Sequence, residues 1–217
     1  MKRREFLKTT GVGLAASAVA APAIAQSMPE VKWRLAASWP KSLDTLYGGC
    51  EFFCKRVAEV TDNRFQIQPF AAGELVPGLQ VLDAVANGTL EMGNTALYYY
   101  WGKNPAFTFG TALPFGLNTR QHISWMLFGG GMDMLNDLLR EHNCHGIPTG
   151  STGAQMGGWF RKEIKSTEDF KGLKFRIGGF AGTIIAKVGG VPQQIAAGDI
   201  PGAREGHYRC RRMGRPL

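Results

Sequence analysis

Catalytic and metal-binding signatures are what this 217-residue sequence most clearly lacks. It has no Gly-x-Ser-x-Gly elbow, no phosphate-binding loop and no dinucleotide fingerprint, so no enzyme class declares itself and no catalytic cofactor is expected. Its four histidines, His122, His142, His145 and His207, show no His-Glu-x-x-His or other metal-ligand spacing. Its four cysteines are equally unforthcoming. Cys50 and Cys54 stand four apart in a predicted helix, Cys144 and Cys210 are isolated, and no Cys-x-x-Cys occurs. They read as buried or incidental thiols. Asp44, Asp83 and Glu91 form no evident acid pair and read as solvated or capping residues. Beyond the N-terminus no apolar run is long enough to span a bilayer, and the body carries no internal repeat and no low-complexity tract.

A uniform positive charge is missing too, although the totals suggest one: 25 basic against 17 acidic residues, a net of +8. The first 25 residues hold Lys2, Arg3, Arg4 and Lys8 against Glu5, and the stretch from Ile200 holds five arginines against Glu205. Between them, Gln26 to Asp199 is nearly balanced, with 16 basic and 15 acidic residues. The high isoelectric point therefore belongs to the two ends, and a nucleic-acid partner is not expected.

The N-terminus carries a secretory layout. A basic head precedes a moderately apolar run from Thr9 to Ala23, which ends in the small-x-small signal Ala23-Ile24-Ala25. Arg3-Arg4-Glu5-Phe6-Leu7-Lys8 matches the twin-arginine version. Residues 1–25 are expected to be a cleaved twin-arginine-type signal peptide, giving a periplasmic protein.

From there the periodicities alternate. Lys32 to Ala37 alternates like a strand, and residues 45–61 read as a helix with Phe52, Phe53, Val57 and Val60 as apolar positions, ended by Asp62-Asn63. Phe65, Ile67 and Pro69 suggest a second strand. A helix over 78–87 presents Leu79, Leu82, Val85 and Ala86, with Gly88 as its terminator. Leu90 and Met92 begin a third strand leading to Asn94. Such strand–helix alternation predicts an α/β layer with a mostly parallel sheet. The aromatic cluster Leu97-Tyr98-Tyr99-Tyr100-Trp101 interrupts it, followed by helices over 121–128 and 132–141 and a strand over 144–148. A second unit starts near Gly150, with a strand over 157–161, a helix-start signal at Ser166-Thr167-Glu168-Asp169, a strand over 173–177, a helix over 180–188 and a strand over 191–195. The domains are therefore expected at 26–149 and 150–199.

Four stretches, in this order and spacing, resemble the periplasmic receptors of tripartite ATP-independent periplasmic (TRAP) transporters, the DctP-like family. They are Ala71-Ala72-Gly73-Glu74-Leu75-Val76-Pro77; Leu82-Asp83-Ala84-Val85 leading to Gly88-Thr89-Leu90-Glu91-Met92-Gly93; Gln155-Met156-Gly157-Gly158-Trp159-Phe160; and Leu173-Lys174-Phe175-Arg176-Ile177-Gly178-Gly179. The resemblance covers residues 31–199. The tyrosine cluster and the Gln-Met-Gly-Gly-Trp string are most similar to the subgroup that binds 2-oxo or 2-hydroxy monocarboxylates. The resemblance implies a periplasmic binding protein-like fold, two α/β domains with a hinge that close over a ligand without chemistry, the second incomplete here. It also implies a small carboxylate ligand, permease subunits of the transporter as partners, and a homodimer at full length.

Arg176 is the leading site residue. It lies near the carboxyl end of a predicted strand, where open α/β sheets gather ligands, and its guanidinium matches a carboxylate in a bidentate fork with a permanent charge. Taken alone it could equally be a surface arginine flanking a strand; in the receptors it resembles, the arginine of this motif binds the substrate carboxylate. Gln155 offers an amide oxygen suited to a hard cation and an amide donor for ligand. Without the resemblance it is an ordinary loop glutamine; with it, Gln155 is a ligand of a sodium or calcium ion bound with the substrate. Tyr99 and Tyr100 give an apolar wall and a hydroxyl in one side chain. Such a run also suits core packing, and at least one of the three clustered tyrosines is expected to touch ligand. Trp159 and Phe180 read as packing residues, either of which could also edge the pocket.

After Asp199 the character changes. Residues 200–217 are rich in arginine, glycine and proline with no amphipathic period. One permitted coding string for this stretch, read one nucleotide later, gives YPALEKGTIDAAEWVGP, close to what the resembled receptors carry there. Met213-Gly214 forces the tryptophan codon in that frame. The tail is therefore expected to be out of frame and the product truncated, poorly folding and weak in binding. The competing reading of the whole is an exported enzyme fragment, such as an oxidoreductase carried by the twin-arginine route.

Overall fold

The computed structural model describes residues 29–153 and 157–196. The leader, Gln155 and the tail fall outside the described residues, and the architecture concerns the unit that starts at Val31.

Strand β1 (Val31–Ala37) is the centre of the first sheet. It pairs in parallel with β2 (Phe65–Phe70) on one side and β3 (Met92–Asn94) on the other, with Leu35 opposite both Pro69 and Met92. Pro69 is tolerated because β2 is an edge of the sheet as described, where a missing backbone donor breaks no inner ladder. Leu35, Ala36 and Ala37 are all buried. Three consecutive buried residues mean that both faces of the strand are covered, as parallel sheets require. Leu35, Ala37 and Ile67 face one cluster with Cys50 and Cys54, and Ala36 faces another with Val81, Ala84 and Leu90. That split is the two-residue period of a strand.

Helix α1 (Gly49–Val60) follows a π-helical turn, Asp44–Gly48. Its buried face is not quite the expected one. Cys50 and Cys54 point inward, with Phe53 and Val57 packed beside them, whereas Phe52 is 68% and Val60 70% exposed. At 100° per residue Phe52 lies on the far side of the helix from Cys50, so apolarity misled where spacing would not have. Asp62 and Asn63 end the helix in left-handed backbone, with φ of 50° and 59°. Helix α2 (Val81–Ala86) follows a 3-10 turn, Gly78–Gln80, and buries Val81, Leu82 and Ala84. Gly88 closes it at φ 76°, which a glycine adopts without a Cβ penalty.

The aromatic cluster forms a 3-10 turn, Leu97–Tyr100, and a second 3-10 segment, Pro105–Gly110, drives Phe107 into the core at 0% exposure. Helices α3 (Thr119–Phe128) and α4 (Gly131–Arg140) follow. The first opens with a reciprocal Asn118–Gln121 capping box.

Two expected strands do not form. Residues 144–148 are irregular because the Asn136 side chain takes both backbone groups of Gly146, accepting from its N–H at 2.7 Å and donating to its carbonyl at 3.1 Å. A segment satisfied in this way needs no strand partner. Residues 157–161 are also irregular; Phe160 instead stacks on Phe175 at 5.1 Å. The second sheet is one βαβ unit: β4 (Lys174–Arg176) and β5 (Val191–Gln193) pair in parallel and are joined by α5 (Gly179–Lys187). A Ser166–Asp169 capping box opens the 3-10 turn Thr167–Phe170 ahead of it. The class is α/β, as expected.

Candidate functional site

Carboxyl ends of parallel strands leave backbone groups and short turns free to hold a ligand. Here Ser38 and Trp39 follow β1, Asn94 ends β3 and Arg176 ends β4. The partly buried Arg176 is held by one arm: its Nε donates to the Ile195 carbonyl at 3.0 Å. An Nη2 donor sits 3.5 Å from the Tyr99 hydroxyl, the outer limit of a hydrogen bond. Among the described residues Arg176 has no carboxylate partner. A fixed cation with unspent donors at this place is suited to an anion.

Tyr99 is buried and packs edge-on against Tyr98 at 4.7 Å and tilted against Trp39 at 6.0 Å. Its carbonyl accepts from Gln194 Nε2, so the segment after β5 holds both Arg176, through Ile195, and Tyr99. Burial, reinforced by Tyr99, pushes the Tyr98 phenol above its ordinary value, with Arg176 opposing weakly; the phenol therefore stays a neutral donor. A recess of about 290 Å³ lies nearby, between Pro77–Gln80 and Gln194–Ala196. A larger hollow of about 480 Å³ on β1 and β2 is lined by Lys32, Trp33, Arg34 and Gln66–Pro69. It touches neither Arg176 nor the tyrosines, so size alone does not mark the site.

Tyr100 is placed elsewhere. It is 2% exposed, and its hydroxyl accepts from the Leu82 N–H at 3.0 Å and lies 2.9 Å from Thr95 Oγ1. Thr95 Oγ1 lies 2.7 Å from Ser38 Oγ, which donates to the Gly78 carbonyl at 2.6 Å. Ser38 Oγ is within donating distance of both the Gly78 carbonyl and Thr95 Oγ1, so the hydroxyls of Tyr100, Thr95 and Ser38 link Leu82 to Gly78 in one connected network. The structure thus brings Tyr99 to Arg176 and ties the Tyr100 hydroxyl into the first layer. Gln155 lies outside the described residues. Trp159, expected to pack, is 73% exposed, while Phe180 packs on Trp101 at 5.7 Å. Glu91 and Asp83 are paired rather than merely solvated: Arg34 grips Glu91 at 2.6 and 3.1 Å, and Lys103 reaches Asp83 at 2.6 Å. The Arg34 hydrogen bonds hold the Glu91 carboxyl down at about 2.

Sequence reasoning passed over Trp39, Asn94 and Gln194, and held Tyr98 only as one of the three clustered tyrosines. The carboxyl-end rule applied to β1 and β3 would have found Trp39 and Asn94. Among the described residues no three histidine, cysteine, aspartate or glutamate side chains cluster as a metal site. No helix among them is long and apolar enough to cross a membrane.

The sequence and the fold have counterparts among known proteins. The chain is 50% identical over 206 residues to the monocarboxylate 2-oxoacid-binding periplasmic protein of Nostoc sp., covering 92% of this chain and 56% of that protein. A TRAP transporter solute-binding protein of Bordetella bronchiseptica, a mixed-occupancy dimer with copurified calcium and picolinate, is 52% identical with a TM-score of 0.79, covering 82% of this chain and 54% of that one. A TRAP periplasmic solute-binding protein of Pseudoalteromonas atlantica, with bound sodium and pyruvate, is 37% identical with a TM-score of 0.77, again covering 82% and 54%. The chain therefore spans about half the length of the relatives it matches. Residues 35–203 match the family described as bacterial extracellular solute-binding protein, family 7, and with that match this chain belongs to the DctP family of solute-binding proteins.

Proposed function

We propose that the complete protein is a periplasmic receptor that captures a small 2-oxo or 2-hydroxy monocarboxylate, such as pyruvate or lactate, and delivers it to a TRAP membrane permease. The observation that carries this reading is Arg176, a guanidinium fixed at the end of β4 with no acidic partner among the described residues and facing a tyrosine hydroxyl. A carboxylate placed there gains paired, charge-assisted hydrogen bonds. The adjoining Trp39 and Tyr99 rings, both buried, back the partly exposed Tyr98 as an apolar wall for a short alkyl group, and the Tyr98 phenol is a donor for a 2-oxo or 2-hydroxy oxygen. Relatives named for 2-oxoacid binding and solved with pyruvate support the ligand class. Those solved with sodium or calcium support a cation bound along with the acid, and the amide oxygen of Gln155 suits a hard cation as one of its ligands. The protein closes and opens; it carries out no reaction. The dimeric relative supports a homodimer at full length.

Two finer readings belong with this one. Residues 1–25 direct export by the twin-arginine route, which N-terminal sequencing of the secreted protein tests by finding Gln26 first. Residues 200–217 are out of frame, which resequencing of the coding DNA tests. The function is tested by calorimetry on the frame-restored protein with pyruvate, lactate and longer 2-oxo acids, each with and without sodium or calcium. One-to-one binding enhanced by a cation is expected. Absence of heat with every acid under every ionic condition defeats the proposal.

A further inference from the structure

The side chain of Asn94 bonds in two directions at the end of β3. Its Oδ1 accepts from the Trp39 indole at 2.5 Å, and its Nδ2 donates to Thr149 Oγ1 at 3.1 Å. An indole can only donate, so the amide oxygen must face Trp39 and the amide nitrogen is left for Thr149. The Asn94 backbone is held as well: it lies opposite Ala37 in the sheet and its carbonyl accepts from Ser38 N at 2.9 Å. The amide is thus a short arm on a rigid base.

Its two partners belong to different parts of the unit. Trp39 is buried at 6% exposure and packs against Tyr99, whose hydroxyl faces Arg176. Thr149 lies in the irregular segment after α4, which leads toward the second sheet. That segment is itself pinned to α4 only a few residues earlier, through Asn136 and Gly146. Two residues beyond Thr149, Ser151 Oγ lies 3.1 Å from Thr119 Oγ1 at the start of α3. The contact at Thr149 ties the departing chain back to the carboxyl end of the first sheet.

We infer that Asn94 is a positioning residue that couples the connecting segment to the packed Trp39–Tyr99 pair beside Arg176. Displacement of Thr149 pulls on the amide, and the amide releases or turns the Trp39 indole against Tyr99. The ring pair thereby registers the placement of the connecting segment. This inference rests on the proposed function only in calling the surroundings of Arg176 a ligand site; the coupling is present without ligand.

Nuclear magnetic resonance of protein labelled with ¹⁵N at its tryptophans tests it. The five tryptophans give five indole N–H signals, and the Trp39→Phe variant assigns the relevant one. Loss of a single hydrogen bond to the indole should raise its hydrogen-exchange rate by up to about tenfold. Asn94→Leu, close in shape but without either bond, should show that increase. Thr149→Val should shift the Trp39 signal and speed its exchange about threefold or more, although Thr149 bonds the amide and not the indole. In the Asn94→Leu background, Thr149→Val should add nothing. Asn94→Asp should keep the Trp39 signal protected, because a carboxylate accepts from both the indole and a rotated Thr149 hydroxyl. A Trp39 signal unmoved by Thr149→Val in the otherwise native protein overturns the coupling, whether or not Asn94→Leu folds. No ligand is used, so failure here leaves the carboxylate reading untouched, and failure to bind pyruvate leaves the coupling untouched.

Discussion

Replacing Tyr100 by phenylalanine should destabilise the protein, although the ring it leaves is the same size. Leu82 N–H is near the start of α2, where backbone donors have no partner within the helix. Gln80, the residue before α2, provides no side-chain cap; the Tyr100 hydroxyl accepts from Leu82 N–H instead, at 3.0 Å. Both residues are buried, at 2% and 6% exposure, so water cannot take the hydroxyl's place without opening the core. Leaving that donor unpaired costs about 1–3 kcal/mol. The Thr95 end of the chain costs little more, because Thr95 keeps Ser38. For a domain of this size each kcal/mol lowers the midpoint by about 2–4 °C. Thermal and urea unfolding of wild type, Tyr100→Phe and Tyr99→Phe, followed by circular dichroism, compares them. Tyr99→Phe should stay within about 0.5 kcal/mol of wild type, since its hydroxyl bond to Arg176 is long at 3.5 Å. Equal stability of Tyr100→Phe and wild type would show that the hydroxyl chain does not hold α2 as described.

Gly93→Ala should cost about 1–3 kcal/mol through overpacking, because a Cβ there would stand 2.5 Å from Val81 Cγ1 and 3.2 Å from Val85 Cγ2; Val81→Ala in the same chain should recover part of the loss on a urea curve. Phe107→Ala should cost about 3–5 kcal/mol, since the ring is wholly enclosed. Alkaline pH should weaken the fold through Cys50 and Cys54. Burial pushes both thiols from an ordinary 9.0 up to about 11, so the folded chain keeps protons that the unfolded chain releases. Their contribution is whole below pH 9 and falls as pH rises toward 11. Unfolding curves across that interval should decline less steeply in the Cys50→Ala, Cys54→Ala double variant.

Much of the fold was legible because local chemistry and tertiary demand agree there. The first sheet announces itself by alternation at 32–37 and 65–69, α1 by its length and its Asp62-Asn63 stop, and the second βαβ unit by its glycine punctuation. The failures share a cause. Cys50 and Cys54 look weakly apolar beside Phe52 and Val60, but the sheet selects by angle around the helix, and it took the thiols. Residues 144–148 look like a strand because they are short and partly apolar, yet a side chain on the helix just before them takes both backbone groups of Gly146 at their centre. For the site, the position of Arg176 at a strand end could be read from its flanks. The division of labour between adjacent tyrosines could not, because it depends on which way a 3-10 turn faces each ring. Tyr99 turns toward Arg176 and Tyr100 toward α2.

The central claim is that Arg176 supplies the charge that holds the ligand's carboxylate. Pyruvate affinity measured by calorimetry on the full-length protein and its Arg176→Ala and Arg176→Lys variants tests it most directly. Losing a charge-assisted pair should weaken binding by about 2 kcal/mol or more, at least about thirtyfold, with lysine recovering only part because it cannot form the fork. Pyruvate bound by Arg176→Ala with the affinity of the unaltered protein would contradict the account.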